Sequence, residues 1–382
     1  MSVRRRVWTT GRGEAREAWI VNYTDQAGSR RIATFERKRD ADAYDAEVRT
    51  AVRAGTHTAP SRSPTVAEAI EDWLERGELE QLERASLKQY RELGVHIERH
   101  LGTFRLAELT TPGVNRFRDS LCRTVSRSMA RKILTALKGI LGEAQRRGNV
   151  AQNVAIGVSI GPDKRKAHLE VGKDIPTPDE IRRILAAASE RARPLLVTAA
   201  LTGLRASELR GLRWNDVDLK RGELHVCQRA DRYGVIGRLK SSAGQRTVPL
   251  GPMAVNTLKT WRLASATSGL VFPTRSGKPI DHPSLWKRML APAQIKAGIV
   301  TTGGKPKYSF HALRHFYASW CINRRVDGGL ELPLKVVQAR LGHASIQMTA
   351  DRYGHLFPRG DDGAELATAE RTLFTPIGGG AT

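Results

Sequence analysis

The sequence predicts a mainly α-helical protein of several domains with small β insertions. Three observations carry that expectation. The chain has 382 residues, enough for more than one hydrophobic core when domains run to roughly 100–200 residues. Apolar residues recur at helical spacing through most of the chain after residue 65. That periodicity breaks twice, at 54–65 and at 160–180, where Pro, Gly, Ser, Thr or charge takes its place. The domains expected are 1–55, 65–157 and 176–382, with linkers at 56–64 and 158–175.

The first domain reads as a small ββα-like unit. AWIVNYTD and RRIATFE are strand candidates joined by the turn QAGS, and KRDADAYDAEVRTAV follows with helical spacing. Arg4, Arg5, Arg6, Arg30, Arg31, Arg37 and Lys38 crowd its strand portion. They make either a basic sheet face or arm, or an ordinary solvated surface.

AGTHTAPSRSPT lacks large apolar residues, as a linker does. From VAEAIEDWLERG to SRSMARKILTALKGILGEAQRRG the pattern is that of a bundle of four or five helices, with Thr65, Ser86, Thr111 and Ser126 available as N-caps. Lys88, Arg91, Arg127, Arg131 and Lys132 are candidates for a phosphate-facing surface, although any exposed helix face can look alike. The third domain opens with the helix TPDEIRRILAAASER, with Thr177 or Asp179 near its start. A long buried helical pattern, PLLVTAALTGLRASELRGLRW, is interrupted at Gly203. GELHVCQRA, GVIGRLK and QRTVPL are three strand candidates, and the remainder is helical.

Composition narrows the partner. Lys and Arg number 63 against 39 Asp and Glu, a formal charge of +24, which suits a polyanion, most commonly nucleic acid. Three distant cysteines without C-x-x-C spacing argue against a disulfide framework or a cysteine zinc site and fit a reducing cytoplasm. No segment has the roughly 18 uncharged apolar residues that a membrane span needs, and no apolar run follows the charged N-terminus. A soluble, unsecreted protein is the expectation.

Chemistry concentrates in the third domain. Tyr353 lies in a polar stretch between His343 and His355. A phenol with pKa about 10 becomes a nucleophile only beside a proton acceptor or in a field that favours phenolate; otherwise Tyr353 is a packed helix residue. In FHALRHF, His311 and Arg314 share a helix face at i and i+3, suited to an oxyanion. His311 and His315 also have the i, i+4 spacing of a zinc helix, but the glutamate after the first histidine is absent and Arg314 would repel a dication. Arg205 follows Gly203 in an apolar setting and needs an anion, which Glu208 at i+3 supplies either as a structural pair or as an orienting group for phosphate binding. Lys240, at the mouth of a hairpin, either reaches a ligand as a proton donor or is simply solvated. Together Arg205, Lys240, His311, Arg314, His343 and Tyr353 meet the separate demands of phosphodiester transfer: charge neutralisation, an acid and a nucleophile. No acidic cluster of the kind that holds paired magnesium ions accompanies them, so the guanidinium groups would neutralise charge where a metal does elsewhere.

In order and mutual spacing, TGLRASELRGLRWNDVD, HALRHFYAS and LGHASIQMTADRYGHL resemble the signatures of the tyrosine recombinase (phage integrase) family. The likeness covers about 175–370, with weaker similarity of 65–157 to a helical core-site DNA-binding domain and of 1–55 to the three-stranded arm-binding domain of temperate-phage integrases. The resemblance implies that Arg205 and Arg314 hold the scissile phosphate, that His311 and His343 support the same transition state, and that His311 is able to take the nucleophile's proton. It gives Lys240 the role of general acid, with Arg238 and Arg246 near enough to confuse that assignment, Glu208 a supporting role, and Tyr353 the attack that forms a 3′-phosphotyrosine. It implies no cofactor and a homotetramer on double-stranded attachment sites, with an excisionase and a DNA-bending host factor as further partners. The tail GAELATAERTLF would dock on a neighbouring subunit or fold back in cis.

Overall fold

A computed structural model describes residues 2–9, 11, 15–24, 28–53, 63–161, 168–239, 241–265, 269–357 and 362–374. The chain divides into two compact units, Met1–Arg165 and Lys166–Thr382.

The first unit holds two separate hydrophobic cores. β1 (Ser2–Thr9), β2 (Ala15–Thr24) and β3 (Arg30–Phe35) form an antiparallel sheet in the order β1-β2-β3, followed by α1 (Lys38–Arg53). Registers Val3↔Val21 and Val21↔Ala33 put the odd-numbered residues on one face. Because side chains alternate along a strand, Val3, Trp19, Val21, Tyr23, Ala33 and Phe35 all fall on that face, where they share a core with Ala41 and Val48 of α1. β1 is an addition to the two strands legible from residue pattern: its arginine run hides the alternation.

α2 (Val66–Leu79), α3 (Arg84–Leu101), α4 (Thr111–Thr124) and α5 (Arg127–Arg146) build the second core, centred on Ile97, Ile133, Leu137 and Ile140. Thr65 closes a capping box with Glu68, and Ser126 accepts from the Met129 N–H, as expected of N-caps. The other two starts differ. Thr110, not Thr111, accepts from the Gly113 N–H at the head of α4. Ser86 lies inside α3, its N–H already bonded to the Glu83 carbonyl, because the chain enters the helix from Glu83. Expected linker 56–64 falls largely on residues outside the described set, and the bundle core extends through Val158 and Ile160.

The second unit is mostly helical: α6 (Pro178–Ala187), α7 (Arg193–Thr202), α8 (Ala206–Gly211), α9 (Pro252–Ala264), α10 (His282–Ser284), α11 (Ala291–Lys296), α12 (Ala312–Ile322), α13 (Leu334–Leu341), α14 (Ile346–Tyr353) and α15 (Asp362–Phe374). Thr177 caps α6 through a capping box with Glu180. The expected single sheet is two. β4 (Val217–Asp218), β5 (Glu223–Val226) and β8 (Arg246–Pro249) pair in the order β4-β5-β8, while β6 (Gln228–Ala230) pairs with β7 (Ile236–Arg238). The strand candidate 222–230 breaks at Cys227, so its halves serve different sheets. A large core joins α6, α7, the β4-β5-β8 sheet and the start of α12. A smaller one, containing Tyr317, Cys321, Val337, Leu341 and Tyr353, lies under the cleft described below. Residues from 168 onward belong with this unit: Leu169 packs against its cores and accepts a hydrogen bond from His355 at 2.8 Å.

Candidate functional site

The site is assembled from the ends of five helices. α7 stops at Gly203, which adopts φ 62°; a Cβ there would sit 2.4 Å from the Tyr317 ring, so no larger residue fits this turn. The turn delivers Arg205 to the N-cap of α8, where Glu208, three residues on, accepts from the Arg205 backbone N–H at 2.9 Å and from its Nη1 at 2.7 Å. α12 starts at His311 and carries Arg314 and His315 in its first turns. α13 ends at Gly342, again left-handed, and releases His343. Ser345 then caps α14, whose last residue is Tyr353.

These ends enclose one cleft of about 570 Å³ lined by Arg205, His311, Arg314, His315, His343, Arg352 and Tyr353, among others. Five of the residues singled out from sequence therefore meet: Arg205, His311, Arg314, His343 and Tyr353. Lys240 lies outside the described residues. Arg246, six residues further on in sequence, bonds Glu208.

Glu208 is 2% exposed and serves two guanidinium groups, Arg205 and Arg246. Arg246 Nη2 donates to it at 2.8 Å, while Arg246 Nε donates to the Arg340 carbonyl and Nη1 to the Gly244 carbonyl. Burial pushes the Glu208 carboxyl up, but the bonds and charge of Arg246 and Arg205 outweigh it and hold the group below the usual carboxylate range. Glu208 is thus ionised, and it both pairs and orients Arg205, whose Nη2 donates to the Gly342 carbonyl at 3.0 Å.

Arg314 is buried, donating from Nη1 to the Gly203 carbonyl at 2.6 Å and from Nη2 to the Leu341 carbonyl. Burial, and then the charge of Arg205, lower its pKa to about 9, still cationic at neutral pH. Among the described residues Arg205 and Arg314 each use two of five N–H donors on the protein, and such a guanidinium has further donors to offer an anion.

The imidazoles are neutral. His343 is fixed by Thr349 Oγ1 at 2.8 Å from Nδ1, with its own carbonyl accepting from Gln338. Burial and the nearby Arg314 lower it to about 4. His311 reaches solvent at the rim, and burial of its inner part together with Arg314 and Arg352 lowers it to about 4. Tyr353 is 1% exposed, its ring parallel to His343 at 6.4 Å between centroids. Burial raises its phenol above the ordinary value, while Arg314, Arg352 and Arg205 pull the other way. Tyr353 is both a core residue and a wall of the cleft.

The residue that touches its hydroxyl is His315, with Nδ1 at 2.7 Å. The sequence raised His315 only as a zinc ligand, and gave the proton-accepting role to His311. The i, i+4 relation to His311 was the available signal, since it puts both rings on one helix face; the rings meet edge-on at 4.7 Å. Among the described residues no group of three or more His, Cys, Asp or Glu is gathered to hold a metal ion.

The basic surfaces named from sequence separate on inspection. In the sheet, strand parity puts Arg4, Arg6 and Arg30 on the face away from α1, with Trp8 and Ile32 exposed beside them. Arg5 and Arg31 fall on the α1 side, and Arg5 is ion-paired with Glu17. In the bundle, Arg131 and Lys132 edge a groove of about 540 Å³ floored by Trp73 and Tyr90, whose rings stack at 4.0 Å. Arg127 and Arg131 both approach the Gly161 carbonyl, at 3.5 and 3.3 Å. Lys88 is exposed on α3 and does not line that groove.

Guanidinium groups and imidazoles gathered around a phenol are chemically suited to an anion. Comparison with known proteins gives the family. Residues 176–359 match the phage integrase family. A tyrosine recombinase XerC-like protein of Caldanaerobacter subterraneus subsp. tengcongensis is 30% identical over 253 residues, 58% of this chain and 61% of that protein. Tyrosine recombinase XerC of Xylella fastidiosa (strain 9a5c) is 32% identical over 245 residues, 61% of this chain and 72% of that protein. Among solved structures, Tn1549 transposon integrase in complex with a circular intermediate DNA gives a TM-score of 0.64 at 18% identity, covering 81% of this chain and all of that one. A lambda integrase tetramer bound to a Holliday junction gives 0.55 at 18% identity, covering 89% of this chain and 95% of that one. The chain belongs to the phage integrase family of tyrosine-type site-specific recombinases.

Proposed function

We propose that this chain is a site-specific DNA recombinase that integrates and excises a phage or mobile element through a 3′-phosphotyrosine intermediate and a Holliday junction. The observation that carries the reading is the convergence of Arg205, Arg314, His311, His343 and Tyr353 of one chain on one cleft. Arg205 and Arg314 hold the nonbridging oxygens of the scissile phosphate. Tyr353 Oη attacks phosphorus as its proton passes to His311, and the 5′ oxygen leaves with a proton from Lys240. His343 bonds the same phosphoryl group as charge develops. The phosphotyrosine keeps the bond energy, so rejoining needs no nucleotide cofactor.

In this reading 1–55 is an arm-type DNA-binding domain, the helical bundle from 65 through Ile160 the core-site domain, and the unit from 168 onward the catalytic domain. Arg4, Arg6 and Arg30 on the open sheet face supply arm contacts, together with Arg5 and Arg31 from its edges. Lys88, Arg127, Arg131 and Lys132 contact core-site phosphates. The protein works as a homotetramer in the bacterial cytoplasm, with an excisionase and a DNA-bending host protein setting direction. α15 docks on a neighbouring subunit: every described side chain on it is exposed, Leu366, Leu373 and Phe374 by 62, 76 and 78%.

A rival with the same chemistry is chromosome-dimer or plasmid resolution, which the XerC relatives fit; a topoisomerase of type IB would use a similar pocket on one duplex. The N-terminal sheet favours integration. Recombination between two plasmid-borne sites taken from the ends of the encoding element separates the three. Integration requires two unlike sites, resolution acts on two copies of one site, and a topoisomerase relaxes a supercoil with neither.

A further inference from the structure

Among the described residues the Tyr353 hydroxyl bonds His315, and His315 in turn has a second partner. Its Nδ1 lies 2.7 Å from Tyr353 Oη, and its Nε2 lies 3.5 Å from Arg352 Nη2. A guanidinium only donates, so the Arg352 contact makes Nε2 an acceptor. The ring is neutral: burial, followed by His311, Arg352 and Arg314, lowers it to about 3. A neutral imidazole carries one proton. With Nε2 accepting, that proton sits on Nδ1 and points at the phenol oxygen.

We propose that His315 is a positioning residue for the Tyr353 nucleophile: Arg352 donates to its Nε2, its Nδ1–H donates to Tyr353 Oη, and this two-step relay stabilises the phenolate instead of accepting its proton. The relay rests on the recombinase reading for its use in strand cleavage, but its geometry belongs to the free protein. When the Oη–P bond forms and the P–O5′ bond breaks, the phenol proton goes to His311 and the Lys240 proton to O5′, while His315 keeps its own. A phenol oxygen that accepts from Nδ1 leaves its O–H directed elsewhere, free to be given up. The edge-on arrangement of the His315 and Tyr353 rings, 5.7 Å between centroids at 62°, holds the phenol oxygen at the imidazole's edge.

The relay and a general base differ in what replaces them. Asn at 315 sets an amide N–H near the Nδ1 position and cannot take up a proton; Ala offers nothing. The full-length protein labelled with ¹⁵N-histidine reports the tautomer directly, with the His315 signals assigned by their loss in His315→Asn. A protonated Nδ1 and bare Nε2 are expected, and the opposite tautomer overturns the proposal. With ¹³Cζ-tyrosine, the Tyr353 phenol should titrate higher in His315→Ala than in the wild type, and His315→Asn should restore most of the difference. On a nicked suicide duplex built from the element's own junction, His315→Ala should slow adduct formation roughly ten- to hundredfold, with His315→Asn within a few-fold of wild type. Equal loss in Asn and Ala variants that bind DNA and melt like wild type would make His315 a base and sink the relay. If the wild type itself forms no adduct there, the recombinase reading fails instead, and the tautomer result stands apart from it.

Discussion

Replacing Glu208 with Gln tests how far Arg205 and Arg246 depend on one buried carboxylate. Glu208 accepts from Arg205 Nη1 at 2.7 Å, from Arg246 Nη2 at 2.8 Å and from the Arg205 backbone at 2.9 Å. An amide has one acceptor oxygen and turns an N–H toward a cation, so one guanidinium loses its partner. Arg246, with a side chain 6% exposed, cannot recover the loss from water. Breaking a buried pair costs about 3–5 kcal/mol when a charge is stranded; with the Arg246 bonds to two carbonyls retained, about 3 kcal/mol is expected. For a unit of roughly 200 residues that lowers Tm by about 6–12 °C, read by calorimetry of the full chain at pH 7.5. Because the carboxyl is held below its unfolded value, this stability is present above the ordinary carboxylate pKa and is lost as pH falls through the folded one. The two proteins should therefore converge in acid. Adduct formation should fall with little change in DNA affinity, since Arg205 loses its aim while the wider basic surface is untouched. A Glu208→Gln protein that melts with wild type at pH 7.5 would refute the reasoning.

Other outcomes follow from the same geometry. Gly203→Ala should destabilise the second unit by more than 2 kcal/mol, on the order expected when a left-handed turn and an aromatic ring both oppose a Cβ, measured by denaturant unfolding. His315 is held at about 3 against an ordinary 6.5. The unfolded chain therefore takes up a proton below 6.5 that the fold refuses until far lower pH, and stability falls on acidification. His315→Asn should remove about 2 kcal/mol of the loss between pH 8 and 5, seen in paired unfolding curves; identical pH slopes would contradict it. Removing residues 1–60 should spare cleavage at core sites while reducing integration, and should flatten the fall of DNA affinity with salt as phosphate contacts are lost. Unchanged integration and slope would remove the arm-binding role.

How much of this was legible in the sequence depends on whether a residue's partner is near in the chain. Caps at Thr65, Ser126 and Thr177, the turn at Gly203 and the pairing of Arg205 with Glu208 are local, and residue spacing exposes them. Contacts across long loops are not. Arg246 reaches Glu208 from 38 residues away, and His315 meets Tyr353 across the same interval. Nothing in either local pattern names the partner. Helix phase put His311 and His315 on one face but could not say which ring points at the phenol. Strand pattern failed where apolar alternation is missing or pairing changes: β1 carries Arg4, Arg5 and Arg6 in place of alternating apolar residues, and Cys227 divides what reads as one strand. The β1 arginines show what remains. Alternation along β1 already separates Arg4 and Arg6 from Arg5; strand pairing and packing, which sequence does not fix, decide that the Arg4 and Arg6 face is the one turned away from α1.

Mapping the covalent bond tests the central claim most directly. The wild-type protein, incubated with the nicked junction duplex in chelator, should give a denaturation-resistant adduct whose protease fragment, by mass spectrometry, carries a 3′-nucleotide on Tyr353. Tyr353→Phe should bind the duplex with equal affinity and give none. An adduct on another residue, or one that survives Tyr353→Phe, would contradict the account.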